Sequence, residues 1–269
     1  MTALIYTNKY KDPDNVYTEK LLGRLKENGI GAKCVTAFDE RTEKGDVLFV
    51  VGGDGTILDV KDYALERNLP IIGINAGKLG FLTEFEREET EFAADGFARN
   101  VLTKDERICC SLKVGETLYN ALNEITVQRI NCGNGKNGIV TDLTVYVDGD
   151  KLERLIGDGV IISTPTGSTA YSLASGGAVL TPDVKAFSIV PICAHSIFAK
   201  PIIYSSDCVV KIENTGKTDA GIFVDGDCVG TLRSNESIVV QKSKKTLTFL
   251  RKRNYNFLNR LVKKLGDRF

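Results

Sequence analysis

Histidine is almost absent from this 269-residue chain: His195 is the single one. A Ser-His-Asp or Cys-His mechanism would therefore have one residue to run through. Paired thiols are missing too, since the seven cysteines (Cys34, Cys109, Cys110, Cys132, Cys193, Cys208 and Cys228) show no C-x-x-C spacing. An odd number scattered in this way reads as reduced thiols in the core of a cytosolic protein. Net charge of either sign is lacking, with 35 basic residues against 35 acidic ones. No global positive field therefore points to a nucleic-acid partner. No apolar run reaches the roughly 20 residues that span a bilayer. The opening Met1 to Thr7 is strand-like and followed by charge, without the basic and long apolar parts of a signal peptide. The expectations are no membrane partner and a cytoplasmic location. Internal repeats and low-complexity segments are also absent.

What is present suits a soluble globular protein: 42% of residues are apolar and 26% charged. The length allows one large domain or two modest ones. Over the first hundred residues, strand and helix patterns alternate. Ala3 to Tyr6 reads as a strand, and Tyr17, Leu21, Leu22 and Leu25 share a helix face that ends at Gly29. Val47 to Val51 reads as a buried strand, Thr56 to Arg67 as a helix and Pro70 to Ile74 as a further strand. This predicts an α/β nucleotide-binding domain with an open parallel sheet over residues 1–100. From about Arg107 the texture changes to short β-branched runs: Asn123 to Arg129, Asp142 to Val147, Gly159 to Ser163, Cys208 to Ile212, Gly221 to Val224 and Ser237 to Gln241. With Asp148-Gly149 and Asp225-Gly226-Asp227 as breaks, they predict a β-rich, sandwich-like domain over 101–250. Tyr255, Leu258, Leu261, Val262 and Leu265 then recur at helical spacing, predicting an amphipathic helix over 251–269 packed on the body.

Two glycine-rich stretches carry the chemistry. Gly52-Gly53-Asp54-Gly55-Thr56 follows the Val47 strand directly, and Gly157-Asp158-Gly159 leads into Ser163-Thr164-Pro165-Thr166-Gly167-Ser168-Thr169-Ala170-Tyr171. A turn between strand and helix offers backbone N–H groups and a positive helix end to a phosphate. Asp54 is out of place there unless it binds Mg²⁺ or takes a proton from an attacking hydroxyl. Gly-Asp-Gly by itself is equally a tight turn. Neither G-x-G-x-x-G nor the Gly-Lys-Ser/Thr ending of the P-loop is met. Asn75-Ala76-Gly77-Lys78-Leu79-Gly80-Phe81 follows the next strand, so its loop could share a cleft with Asp54.

These stretches, with Asn75 to Leu82, Asn123-Glu124, Gly157 to Gly177 and Pro191-Ile192-Cys193 before His195-Ser196, resemble the NAD kinase (ATP-NAD kinase) family, which phosphorylates the adenosine 2′-hydroxyl of NAD to make NADP. By that resemblance Asp54 is the general base, and Gly52, Gly53, Gly55 and Thr56 form the phosphate loop. The NAD-binding residues it implies are Asp54, Gly55, Phe81, Asn123, Glu124, Asp158, Thr166, Thr169, Ala170, Tyr171, Ser172 and Ala174. Asn123 and Glu124 would take the adenosine half, and Tyr171 would lie near the 2′-phosphate. Pro165 and Gly167 suggest a loop entering a short helix whose free N–H groups face the ligand. Phe81 would form an apolar wall against adenine or be core, and His195 would be structural. The implied cofactor is a divalent metal ion, Mg²⁺, held mainly by the donor phosphates, with no protein ligand nominated. The implied substrates are NAD and ATP or polyphosphate, and the implied assembly is a homotetramer or homodimer in which a neighbouring subunit completes the NAD pocket.

Departures from the family pattern are Asp59 and Ile156 where a basic residue is common, Lys200 in place of Arg and Asp227 in place of Gln. They bear on phosphate contacts and donor preference. A lipid kinase sharing the first motif is one rival, but Ile57-Leu58-Asp59-Val60 lacks the Glu and Asn-Gly of that group. A catalytically silent nucleotide sensor is another, and intact Asp54 and Asn123 speak against it.

Overall fold

The computed structural model describes residues 1–38, 44–77, 80–130, 140–196 and 199–266. Cys132, together with Lys78 and Leu79 of the second loop, lies outside the described residues, as does the side chain of Leu265. In chain order the elements are β1 (Thr2–Thr7), α1 (Val16–Glu27), β2 (Gly31–Val35), β3 (Val47–Gly52), α2 (Asp54–Arg67), β4 (Ile71–Asn75), β5 (Phe85–Glu86) and α3 (Thr90–Ala98). There follow β6 (Thr103–Val114), β7 (Thr117–Ala121), β8 (Glu124–Arg129), β9 (Thr141–Val147), β10 (Asp150–Gly157), β11 (Gly159–Ser163) and α4 (Tyr171–Ala174). The last are β12 (Ala186–Ile192), β13 (Ile202–Ser205), β14 (Val210–Asn214), β15 (Ala220–Val224), β16 (Asp227–Leu232), β17 (Ser237–Arg251) and α5 (Phe257–Gly266). Two compact units result: Met1–Arg107 with Thr246–Phe269, and Ile108–Lys245.

The first unit is α/β. Its parallel sheet runs β4-β3-β1-β2, with the end of β17 beside β4. Every residue of β3 and β4 is buried, as expected for apolar runs covered on both faces. On one face Ala3, Ile5, Val47, Phe49, Val51, Ile72 and Ile74 meet Leu21 and Leu25 of α1 and Ala93 and Ala94 of α3. Arg24 holds α1 to α3 with two 2.7 Å bonds to the Asp95 carboxylate. On the other face Gly73 makes room for α2, since a Cβ there would lie 3.0 Å from Ile57 Cδ1 and 2.9 Å from Thr83 Cα.

The second unit is a β-sandwich, in keeping with the expected class. One sheet is antiparallel in the order β13-β12-β11-β8-β15-β16. Its Ile125, Val127, Val160, Ile162, Phe187, Ile189 and Ile222 pack on Leu143, Val145, Val210, Ile212, Ile238 and Val240 of the facing sheet, which runs β10-β9-β14-β17. Asp148-Gly149 and Asp225-Gly226 are two-residue hairpin turns, all four with positive φ (52°, 92°, 49° and 96°), the combination that matches strand twist.

Four local expectations are corrected. The second helix starts at Asp54 rather than Thr56. The strand expected at Cys208 starts at Val210, because Cys208 closes a turn by donating its N–H to Ser205 O at 3.1 Å. The strand expected to stop at Gln241 continues to Arg251. Its lysines resemble a break, but alternate residues Leu247, Phe249 and Arg251 remain buried. Finally, two of the apolar positions expected to pack in the terminal helix, Leu258 and Val262, are 56% and 71% exposed. Among the described residues no helix is long and apolar enough to cross a membrane.

Candidate active site

In the first unit β3 and β4 pair with Val51 opposite Ile74 and Gly52 opposite Asn75. Their carboxyl ends lie side by side, where open sheets of this kind take ligands. Gly52 permits the tight exit, because a Cβ there would lie 2.6 Å from Thr56 Cβ. Gly53 is the extended N-cap of α2 (φ −125°, ψ −170°). Its N–H donates to Thr56 Oγ1 at 3.3 Å, and Asn8 Nδ2 donates to the same oxygen at 3.1 Å. The N–H groups of Asp54, Gly55 and Thr56 have no acceptor within the helix, so they form its positive end. Gly55 is exposed.

Asp54 turns its carboxylate to the loop after β4. Oδ2 accepts the Phe81 N–H at 2.8 Å and Oδ1 accepts the Leu82 N–H at 3.0 Å. Gly80 leaves the space, since a Cβ there would lie 2.7 Å from Asp54 Cγ. Each carboxylate oxygen has two lone pairs. Backbone donors occupy one on each, so the group is fixed in orientation and keeps acceptor capacity. Lys264 Nζ stands 3.8 Å from Oδ2. Phe81 is 7% exposed, with its ring 6.0 Å from that of Phe257 and 4.1 Å from Lys264 Nζ. Its core role is thus filled by α5.

In the second unit the Asn123-Glu124 segment is held from two sides. Asp225, at the β15–β16 hairpin, accepts three backbone N–H groups: Leu122 at 2.9 Å, Asn123 at 2.7 Å and Glu124 at 3.1 Å. Asn123 O accepts Thr164 N–H at 2.9 Å. Gly167 must be glycine for the loop to come this close, since a Cβ there would lie 2.7 Å from Asn123 Cα. Glu124 is 7% exposed, and its Oε2 has no partner among the described residues. Burial first, then the neighbouring Asp225 carboxylate, pushes its carboxyl up to about 8, against a bond from the Tyr171 N–H. At neutral pH Glu124 therefore carries a proton.

The loop that enters the short helix α4 bonds several of its own N–H groups. The N–H groups of Gly167, Ser168 and Ala170 donate to Thr164 Oγ1, Thr164 O and Gly167 O, and that of Tyr171 donates to Glu124. These four N–H groups are bonded inside the protein. Tyr171 is 38% exposed. Burial, followed by the charges of Cys193, Asp158 and Glu124, raises its phenol. Ala174 is exposed, and Thr169 and Ala170 are half-buried. Thr166 and Ser172 are buried, and Ser172 Oγ lacks a partner among the described residues. Asp158 pairs with Arg129 Nε at 3.0 Å. The glycines beside it serve the sheet: a Cβ on Gly157 would lie 2.8 Å from Ala194 Cα, and one on Gly159 2.7 Å from Gln128 Cα.

Three residues escaped sequence reasoning: Asn8, Asp225 and Lys264. Asp225-Gly226 was visible as a turn, but nothing local ties its carboxylate to residues a hundred positions earlier.

A strand-turn-helix with an open positive end and a fixed carboxylate on a parallel sheet fits the class of enzymes that move a phosphoryl group. Comparison narrows the class. The profile of the ATP-NAD kinase N-terminal domain matches residues 8–101, and that of the ATP-NAD kinase C-terminal domain matches residues 122–252. An NAD kinase of Caldicellulosiruptor bescii is 31% identical over 99% of this chain and 100% of its own length. The fold is similar to that of a yeast NADH kinase solved with NADH (TM-score 0.82, 22% identity, 99% of this chain and 87% of that one). It is also similar to an Archaeoglobus fulgidus NAD kinase solved with ATP (TM-score 0.76, 26% identity, 99% and 98%). The chain belongs to the ATP-NAD kinase family, and its reaction is the phosphorylation of NAD.

Proposed function

We propose that Asp54 is the general base of this reaction and that ATP is the donor. The observation that carries the reading is the Asp54 carboxylate, held by the Phe81 and Leu82 N–H groups at the open end of α2 with lone pairs to spare. A ribose hydroxyl is a weak nucleophile at neutral pH. A positioned carboxylate that takes its proton accelerates attack by about 10²- to 10⁴-fold. The adenosine 2′-O–H bond breaks with its proton passing to Asp54, and the new O–P bond forms as the γ-phosphorus separates from ADP, which leaves with the electron pair. Little else covalent is required, so alignment and charge neutralisation dominate.

The Gly52-Gly53-Asp54-Gly55-Thr56 turn receives the donor phosphates through the N–H groups of Gly55 and Thr56. Asn123 and Glu124 hold the adenosine half of NAD, with Glu124 acting as an O–H donor. Asp158, Thr166, Thr169, Ala170, Tyr171 and Ala174 complete the acceptor contacts, and Ser172 supports them from within. Mg²⁺ keeps water and phosphate ligands and needs few from the protein. Bound to the donor phosphates, it supplies neutralisation of their charge. Family likeness also supports a cytoplasmic homo-oligomer, a tetramer or dimer.

The test is an NADP-formation assay with NAD, Mg²⁺ and a panel of ATP, other triphosphates and polyphosphate. The expected result is NADP with ATP as an efficient donor. Turnover with polyphosphate alone would overturn the donor assignment.

A further inference from the structure

We propose that Lys264, on the C-terminal helix, is the side chain that neutralises the γ-phosphoryl group beside Asp54. The inference rests on the reading of Asp54 as the base. The two domain profiles match residues 8–101 and 122–252, so α5 lies outside both. Nothing in the shared motifs assigns it a role.

The first support is how α5 is seated. Two of its cations face the loop after β4. Arg260 Nη1 meets Glu84 Oε2 at 3.2 Å, and Lys264, one helical turn on, reaches Asp54 and the Phe81 ring. Glu84 is anchored in turn by the buried Arg251, also at 3.2 Å. Phe257 packs on Phe81 from the start of the helix. The apolar Leu258 and Val262 face solvent instead. The helix is thus docked by Phe257 and by two cations, one of which ends at the base.

The second support is electrostatic. A carboxylate at a phosphate-binding turn repels the donor unless a cation offsets it. The family's frequent basic residue on α2 is replaced here by Asp59. Lys264 stands 3.8 Å from Asp54 Oδ2.

The third support is reach. A base accepts from the hydroxyl across about 2.6–3.2 Å, and the attacked phosphorus lies about 3–3.5 Å from that oxygen. The equatorial phosphoryl oxygens thus fall within a side-chain rotation of an ammonium already at the carboxylate. Lysine suits the task because its charge is compact and its stem has four carbons.

The experiment uses the full chain with Lys264→Met, which keeps an apolar stem over Phe81, and Lys264→Arg, which keeps the charge. Steady-state kinetics with each substrate varied are joined by NAD affinity, binding of inorganic tripolyphosphate with Mg²⁺, and the thermal midpoint. Lys264→Met should lower kcat/KM for ATP about 10²-fold, the usual loss for one donor to developing charge. It should weaken tripolyphosphate at least tenfold and leave NAD affinity within twofold. Lys264→Arg should recover at least tenfold of the kinetic loss. Three outcomes overturn the inference: unchanged kcat/KM for ATP; a rise in it, which would make the Lys264–Asp54 contact a restraint on the base; or equal losses for both substrates with a lowered midpoint. Failure of the underlying base assignment is separable, because it would show as Asp54→Asn retaining turnover.

Discussion

Asp225→Ala would remove the acceptor of three backbone N–H groups at once, those of Leu122, Asn123 and Glu124 at 2.7 to 3.1 Å. A buried donor left unpaired costs about 1–3 kcal/mol. Asp225 is only partly buried, so water would re-solvate part of the segment. We expect a loss of about 3–5 kcal/mol in place of the full sum. At roughly 2–4 °C per kcal/mol for a protein of this size class, the midpoint should fall by about 10 °C. Asn123 and Glu124 would also lose their positions, so the KM for NAD should rise about tenfold or more, and that for ATP much less. Asp225→Asn is the finer probe. One oxygen can still serve Asn123 and Glu124, and the lost charge should move the Glu124 carboxyl back toward its ordinary value. Urea unfolding and steady-state kinetics on both variants make the measurement. An Asp225→Ala protein with wild-type stability and wild-type KM for NAD would refute the idea that this turn positions the segment.

Two further outcomes are expected. Glu124→Gln should remove a pH dependence of stability. The folded-state value, about 8, lies above the ordinary 4.5, so the wild-type contribution is present below 4.5 and is lost as pH rises through about 8, with a slope of at most about 1.4 kcal/mol per pH unit. Unfolding titrations from pH 5 to 9 check this, and identical profiles for both proteins would contradict it. Tyr171→Phe should weaken NADP by about 1.5–3 kcal/mol and NAD by less, if the hydroxyl meets the 2′-phosphate. Of the acids whose charge raises that phenol, Asp158 is paired with Arg129 and the raised Glu124 carboxyl favours its protonated form. Calorimetric titration decides, and equal losses for both ligands would leave Tyr171 a packing residue.

Much of this was legible where the signal is local. Val47 to Val51 is a continuous apolar run, and both β3 and the turn after it follow from that run and its glycines. Gly159 to Ser163 matches β11 residue for residue. Asp54 stood out because a carboxylate conflicts with a phosphate-binding turn. What could not be read depends on distance along the chain. Asp225 acts on residues about a hundred positions earlier, and Lys264 on one about two hundred earlier. At the C-terminus periodicity places Leu258 and Val262 in the packed stripe, but both are exposed, and Phe257, Arg260 and Lys264 make the contacts. Periodicity also stopped β17 too soon, because the buried side switches from even positions (Ile238, Val240) to odd ones (Ser243, Leu247, Phe249, Arg251) among Lys242, Lys244 and Lys245, where Ser243 bonds Asn120 Oδ1 at 2.7 Å.

The most direct test of the central claim is single-turnover NADP formation by Asp54→Asn, with NAD binding measured on the same preparation. The amide oxygen can accept one of the two loop N–H groups while its NH2 turns toward the other, so the thermal midpoint should fall slightly and most NAD affinity should persist, but an amide cannot take the hydroxyl proton. Turnover should fall by roughly 10²-fold or more with NAD affinity nearly unchanged. A variant that binds NAD normally and turns over near the wild-type rate would contradict Asp54 as the base.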